Sequence, residues 1–356
     1  MLYLVKLEDL EQRYTIQMHS NLVEQAVHRN IPFRVVEGAA LSGAIDTGAF
    51  LDSNSTVYYK ATQVEELAKK FSSGIIKNGD TFLVYDGWFP GITSLRYMAY
   101  FAGVEINIVG IFHAGTWEPS DFITGLRPRV GLLEKHWLFE SYDKILVGSE
   151  WHKKRITKVY PDIEYKIFVT GLPFWSIDPV KQRCRDIKSI VYASRFHREK
   201  GFVEFLDAVI ADDADEYNFK VTSTSGNIGN TDIPDYYVTL YKELVRNEKL
   251  VHIRVPTKAA FYSELSSCGY IFSFPEQEGW GYSMLEAVSL GCTPLVRRGL
   301  SYDEMFCGLD LGNPREYYKV LSAIRRGSLV YNSIDPALLY NGNIYKGAAK
   351  ILAEVA

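Results

Sequence analysis

Short apolar runs separated by amphipathic stretches recur along this chain in two series, and that alternation leaves few folds open to it. In the first series the runs fall at residues 2–7, 33–36, 81–85, 105–112, 144–147 and 166–170. Helical patterns such as 20–29 (SNLVEQAVHR) and 63–75 (QVEELAKKFSSGI) lie between them. In the second series the runs fall at 189–194, 219–224, 250–255, 270–274 and 293–296, with helical patterns at 201–210, 236–246, 259–267, 282–290 and 315–325. A parallel strand pair needs a crossover, and a helix supplies it, so this pattern predicts an α/β protein with parallel, doubly wound sheets. At 356 residues the chain exceeds one ordinary core and fits two. The expected division is a domain over 1–172, a linker over 173–188 holding Pro173 and Pro179, and a second domain over 189–330. A helical segment over 331–356 is expected to return to the first domain.

Composition narrows the function classes. A net charge of -4 gives no bulk attraction to nucleic acid or membrane, so either partner needs a local patch. Cys184, Cys268, Cys292 and Cys307 show no CxxC or Cys/His spacing, which argues against a disulfide framework and a zinc site; no metal is expected. The opening MLYLVKLEDLEQRY lacks the basic leader and apolar core of a signal peptide. No apolar run approaches the ~20 residues that span a bilayer, and the cytoplasm is the expected location.

Doubly wound sheets bind ligands beyond the carboxyl ends of their strands, here toward a cleft between the domains. Two segments stand at such ends. In 274–296, FPEQEGWGYSMLEAVSLGCTPLV, a strand gives way to a loop with Gly279 and Gly281 and then to a helix starting near Tyr282. Free loop amides and the positive helix end make an anion site. Glu278 in the loop and Glu286 within the helix can grip polyol hydroxyls from two directions, one a transferred sugar, the other a ribose. In 190–209, IVYASRFHREKGFVEFLDAV, Arg195 follows a strand and Lys200-Gly201 opens a helix, an arrangement suited to a diphosphate.

Together these segments resemble the signature of the large retaining GT-B glycosyltransferase family (the glycosyltransferase family 4-like group with an E-x7-E motif), which includes sucrose and glycogen synthases and many bacterial sugar transferases. The first pattern stands here as SRFHREKGFVEFLDA, with Ser194 where glycine is usual, and the second as EGWGYSMLEAVSLGCTP. The likeness is specific over roughly 189–300 and fainter before it. It implies a GT-B fold of two Rossmann-like domains and a nucleotide-diphosphate sugar, of UDP or GDP type, as donor substrate, with no further cofactor. It implies that Arg195 and Lys200 bind the diphosphate, Glu278 sits by the donor sugar and Glu286 holds the ribose. The amides of Gly279, Trp280 and Gly281 would reach phosphate or sugar, and the loop of Val255, Pro256 and Thr257 would meet the nucleobase. His113, in VGIFHAGT, matches a histidine that faces the transferred sugar. The glycine-rich loop usual after the first strand is absent, since 7–14 reads LEDLEQRY, and this implies a remodelled acceptor site.

The expected activity is transfer of a hexose or pentose to an acceptor hydroxyl by attack on the leaving group's own face, without a protein nucleophile. Trp88, Trp117 and Trp137 are candidate stacking platforms, and Glu118 and Asp121 shape an acceptor loop or supply a helper carboxylate. Lys153, Lys154, Arg155 and Lys158 form a basic stretch beside aromatic residues. These features leave two acceptors open: a hydroxymethylated pyrimidine in DNA, as in phage-type enzymes acting in a host cytoplasm, or a soluble glycan. A GT-B protein that binds a nucleotide-sugar without catalysis, or a GT-B epimerase, is the alternative.

Overall fold

The computed structural model of the chain describes residues 1–10, 13–40, 56–177, 184–224, 228 and 231–356. Residues 11 and 12 of the loop at 7–14, and 178–183 of the expected linker, lie outside that set. The chain forms two compact units, one of Met1–Trp175 with Tyr345–Ala356, the other of Ser176–Ile344.

The first unit runs β1 (Leu2–Val5), α1 (Thr15–His28), β2 (Phe33–Val36), α2 (Thr56–Ser72), β3 (Asp80–Val84), α3 (Ile92–Ala102), β4 (Ile106–Ile111), α4 (Arg127–His136), β5 (Lys144–Val147), α5 (Glu150–Val159) and β6 (Ile167–Val169). Its strands pair in parallel in the order β2-β1-β3-β4-β5-β6. The central strands are buried on both faces, as a sheet covered by helices on each side requires. Phe82, Ile108, Ile145 and Leu138 are among the buried centre of this core.

The second unit runs β7 (Asp186–Tyr192), α6 (Phe202–Ala211), β8 (Asn218–Ser223), α7 (Asp235–Arg246), β9 (Leu250–Arg254), α8 (Lys258–Ser267), β10 (Cys268–Ser273), α9 (Tyr282–Ser289), β11 (Thr293–Val296), α10 (Tyr302–Met305), α11 (Tyr317–Arg325) and the turn α12 (Leu339–Gly342). Its parallel order is β11-β10-β7-β8-β9. Packed rings of Phe196, Phe202, Phe205 and Tyr192 fill the space between β7 and α6. Residues up to Ile344 belong to this unit, and α13 (Gly347–Val355) packs against α1 of the first.

The strand order reverses between β1 and β3 in one unit and between β7 and β10 in the other. At such a reversal two consecutive crossovers leave in opposite directions, opening a crevice at the carboxyl ends of the strands. The loops following β7 and β10 are those that carry Arg195, Lys200 and Glu278.

Candidate functional site

Gly201 joins the loop after β7 to α6 in the left-handed region, φ 76°, and caps the helix. A methyl group there would lie 2.5 Å from the carbonyl oxygen of Phe274, so the two switch-point loops are in backbone contact. The amide of Glu276 donates to the Glu199 carbonyl at 2.8 Å and tightens that contact. Across the seam, Lys200 Nζ meets Glu278 Oε2 at 3.3 Å, with each side chain about one-fifth exposed. Arg195 donates to Glu199 Oε1 at 2.6 Å, and Gln277 reaches the other oxygen of Glu199 at 3.5 Å. Arg195, Lys200 and Glu278 thus stand on two loops fastened to one another.

The turn between β10 and α9 holds Glu278 by its own backbone. The Trp280 amide donates to Glu278 Oε1 at 3.3 Å, and the Ser301 amide donates to the Glu278 carbonyl at 3.2 Å. The Trp280 ring is buried, edge-on to Tyr340 at 5.4 Å, so of this residue the main chain rather than the indole face is presented. Tyr302, whose phenol is pushed well up by burial and then by Glu278, stays a neutral donor–acceptor, and its hydroxyl pairs with Ser273 at 2.7 Å.

Glu286 lies on the fifth residue of α9, wholly buried among Met284, Leu285, Ala287 and Val288. Its Oε1 accepts from Lys258 Nζ at 2.6 Å and from the Tyr262 hydroxyl at 2.8 Å, whereas Oε2 has no hydrogen-bond partner among the described residues. Thr257 starts α8 by capping the Ala260 amide at 3.2 Å, and this fixes the rotation at which Lys258 and Tyr262 meet α9. Val255 is buried, its amide donating to the Ser223 carbonyl at 2.8 Å, and Pro256 next to it is exposed.

In the first unit, His113 stands two residues beyond β4. Its Nε2 lies 2.9 Å from the Tyr85 carbonyl. A carbonyl only accepts, so Nε2 carries the proton and Nδ1 presents a lone pair. Burial lowers the His113 pKa, with Asp86 opposing, and the ring is neutral at pH 7. Burial pushes the Asp86 carboxyl up, but Lys60 and His113 outweigh it and hold the group below its ordinary value; Lys60 lies 2.6 Å away. His19 Nδ1 meets the Tyr85 hydroxyl at 3.1 Å. Of this group only His113 is legible in the sequence, because Lys60 and His19 lie on helices far along the chain from Asp86.

Other expected acceptor residues are placed differently. Trp88, Trp117 and Trp137 are packed into the core of the first unit, 9%, 3% and 6% exposed, rather than standing out as open platforms. This packing has a simple cause: an indole is the largest apolar group available to fill space under the loops after β3 and β4, and Trp88 packs edge-on to Trp137 at 5.7 Å. Glu118 is likewise buried, 3.6 Å from His152. Asp121 caps the turn Phe122–Leu126 by accepting from the Ile123 amide. The basic stretch lies on α5, where successive side chains step around the axis by about 100°. Lys153 faces Glu164 at 3.7 Å, Arg155 lies over the Trp151 ring, and Lys154 points to solvent. Lys154 and Lys158, four residues apart, share an exposed face of α5 with Arg155 beside them, whereas Lys153 is turned toward Glu164.

No family model matches the chain. Among solved structures it is similar to an α,α-trehalose-phosphate synthase (UDP-forming) from Burkholderia vietnamiensis, at 13% identity over 99% of this chain and 94% of that one, TM-score 0.58. It is similar to AviGT4, a glycosyltransferase involved in avilamycin A biosynthesis, at 12% identity over 99% and 96%, TM-score 0.58. Staphylococcus aureus TarM, in complex with fondaparinux, alpha-GlcNAc-glycerol and UDP, is similar at 15% identity and TM-score 0.52; the match covers 83% of this chain, which spans only 56% of that one. These likenesses, with two parallel sheets of doubly wound order, give the fold: α/β, two Rossmann-like domains of the GT-B type. Among the described residues no helix is long and apolar enough to cross a membrane.

Proposed function

We propose that the chain is a retaining glycosyltransferase that moves a sugar from a nucleoside-diphosphate donor to a carbohydrate hydroxyl. The observation that carries this reading is the convergence of Arg195, Lys200 and Glu278 on the two fastened loops at the β7/β10 reversal, with Glu286 buried in the helix that follows. Two cations at that crevice suit a diphosphate, and carboxylates at the start and inside of α9 suit the hydroxyls on either side of it. The donor substrate would displace the Lys200–Glu278 contact, with Lys200 turning to phosphate and Glu278 to sugar. The UDP named for the TarM complex and the trehalose-phosphate synthase makes a uridine nucleotide the first donor to try.

In the reaction we propose, the acceptor oxygen bonds to the anomeric carbon from the face that the diphosphate leaves. The carbon–oxygen bond to phosphate breaks, its electron pair goes to the phosphate, and the acceptor's proton passes to that departing oxygen. Arg195 and Lys200 stabilise the charge that grows there. His113 is assigned to the sugar, its neutral Nδ1 accepting from a hydroxyl. We favour a carbohydrate over DNA as acceptor because the net charge of -4 gives no bulk attraction to a phosphate backbone, and Lys154, Arg155 and Lys158 on one face of α5 are the local cations a DNA acceptor would have to use.

The test is release of nucleoside diphosphate from labelled nucleotide-sugars, with and without a panel of glycans and hydroxymethylated DNA. Release that depends on a glycan, abolished by Arg195→Ala and by Lys200→Ala in folded proteins, is the expected result. Tight donor binding without release on any acceptor would instead indicate a non-catalytic binder, and release on DNA alone would reinstate the nucleic-acid acceptor.

A further inference from the structure

Glu286 is held from one side only. Lys258 and Tyr262, one turn apart on α8, both donate to Oε1, at 2.6 and 2.8 Å, and Oε2 receives nothing from the described residues. The side chain of Glu286 is 1% exposed and that of Lys258 is 14% exposed, so water does little to compensate either charge. The Lys258 ammonium is itself lodged over the rings of Phe261 and Tyr262, 5.2 and 5.4 Å from their centres, which limits its swing. A buried carboxylate oxygen without a donor is costly, and a protein built only for stability would fill it with a third partner.

We propose that Lys258 and Tyr262 are positioning residues that, by occupying Oε1, fix the rotation of the Glu286 carboxylate and leave Oε2 to accept a ribose hydroxyl of the bound nucleotide. This rests on the donor-site reading above and extends it to two residues of α8. Two consequences follow from the geometry. The plane of the carboxylate cannot turn, and one oxygen rather than two reads the sugar of the nucleotide. A hydrogen bond to a charged acceptor then separates ribose from 2′-deoxyribose by about 10- to 100-fold in affinity.

The experiment measures, by calorimetry, the affinities of the full chain for uridine diphosphate and for its 2′-deoxy analogue, with the guanosine pair in parallel. Lys258→Met and Tyr262→Phe are compared with the parent. The expected result is a ribo/deoxy ratio of at least 10 in the parent, reduced at least 5-fold in Lys258→Met and about 2- to 5-fold in Tyr262→Phe. In both variants affinity for the deoxy nucleotide should be nearly unchanged. A merely structural pair would weaken both nucleotides alike and leave the ratio in place, and that outcome overturns the proposal. Tyr262→Phe removes one hydroxyl and keeps the ring, so it decides the matter if Lys258→Met does not fold. No binding of any nucleoside diphosphate by the parent would instead remove the donor-site reading itself. Binding with an unaltered ratio removes only the role of α8.

Discussion

Replacing Gly201 by alanine probes the seam on which the donor site depends. Two costs add. An L-residue with a Cβ at φ 76° loses about 1–2 kcal/mol to left-handed backbone strain. The new methyl also lies 2.5 Å from the Phe274 oxygen and 2.7 Å from its carbonyl carbon. Ordinary carbon–oxygen contacts are about 3.3 Å or longer, so the loop after β10 must retreat by nearly ~1 Å. Overpacking of that kind costs a further ~1–3 kcal/mol. Together these amount to roughly 2–5 kcal/mol, or a fall of about 4–20 °C in the melting temperature of a unit of this size. Gly308→Ala is the internal control: it shares a left-handed φ of 74° but has nothing within 4 Å of the added methyl, so only the first cost applies. Differential scanning calorimetry reads stability, and titration with uridine diphosphate reads the site. Gly201→Ala should lose nucleotide affinity as well as stability, because the retreat carries Glu278 away from Lys200, whereas Gly308→Ala should lose only a little stability. Equal melting shifts in the two variants, or unchanged nucleotide binding in a folded Gly201→Ala, would refute the reasoning.

Two further outcomes test the first unit. Burial depresses the His152 pKa to about 3, so below its ordinary 6.5 the unfolded chain takes up a proton that the folded one refuses. This part of stability is full at high pH and falls as pH drops through 6.5 toward 3, losing about 2 kcal/mol between pH 7 and pH 5. Denaturant titrations at the two pH values should show a correspondingly smaller acid loss in His152→Gln, and parallel losses would contradict the assignment. Trp88→Ala should cost about 3–5 kcal/mol as a large-to-small core change while nucleotide affinity of the folded protein is kept; a variant that melts like the parent would return Trp88 to the surface.

Periodicity made the sheets legible because their strands are local and strongly apolar, but it was weaker at their edges. β7 starts at Asp186, three residues before its apolar pattern does, since Ile187 and Lys188 are exposed and read as linker. α2 begins at Thr56, seven residues before the helical pattern at 63–75. TVYYKAT is rich in β-branched and aromatic residues that favour strands, and burial of Tyr59, Lys60 and Gln63 overrides that preference. Within the candidate donor site, Glu278 and Glu286 could be named from spacing because they share one segment. Lys258 and Tyr262 could not, because their tie to Glu286 is made by packing α8 on α9, although a Thr cap followed by Lys and Tyr one turn apart was a signal at hand. The burial of the tryptophans is hidden for a related reason: composition counts aromatic rings but does not say which way they point.

α13 belongs to the first unit, with Gly347 so close to the Leu172 carbonyl that a methyl group there would lie 2.1 Å from its oxygen, and Lys144 donating to Glu354 at 2.8 Å. The ribosome makes all of Ser176–Ile344, 169 residues, between the sheet of that unit and the helix that completes it. At about 5–20 residues per second this is a wait of roughly 10–30 s. During synthesis the second unit can therefore finish before the first. The apolar stripe of α1 that α13 covers would stay open for that interval, within reach of chaperones or of a neighbouring nascent chain.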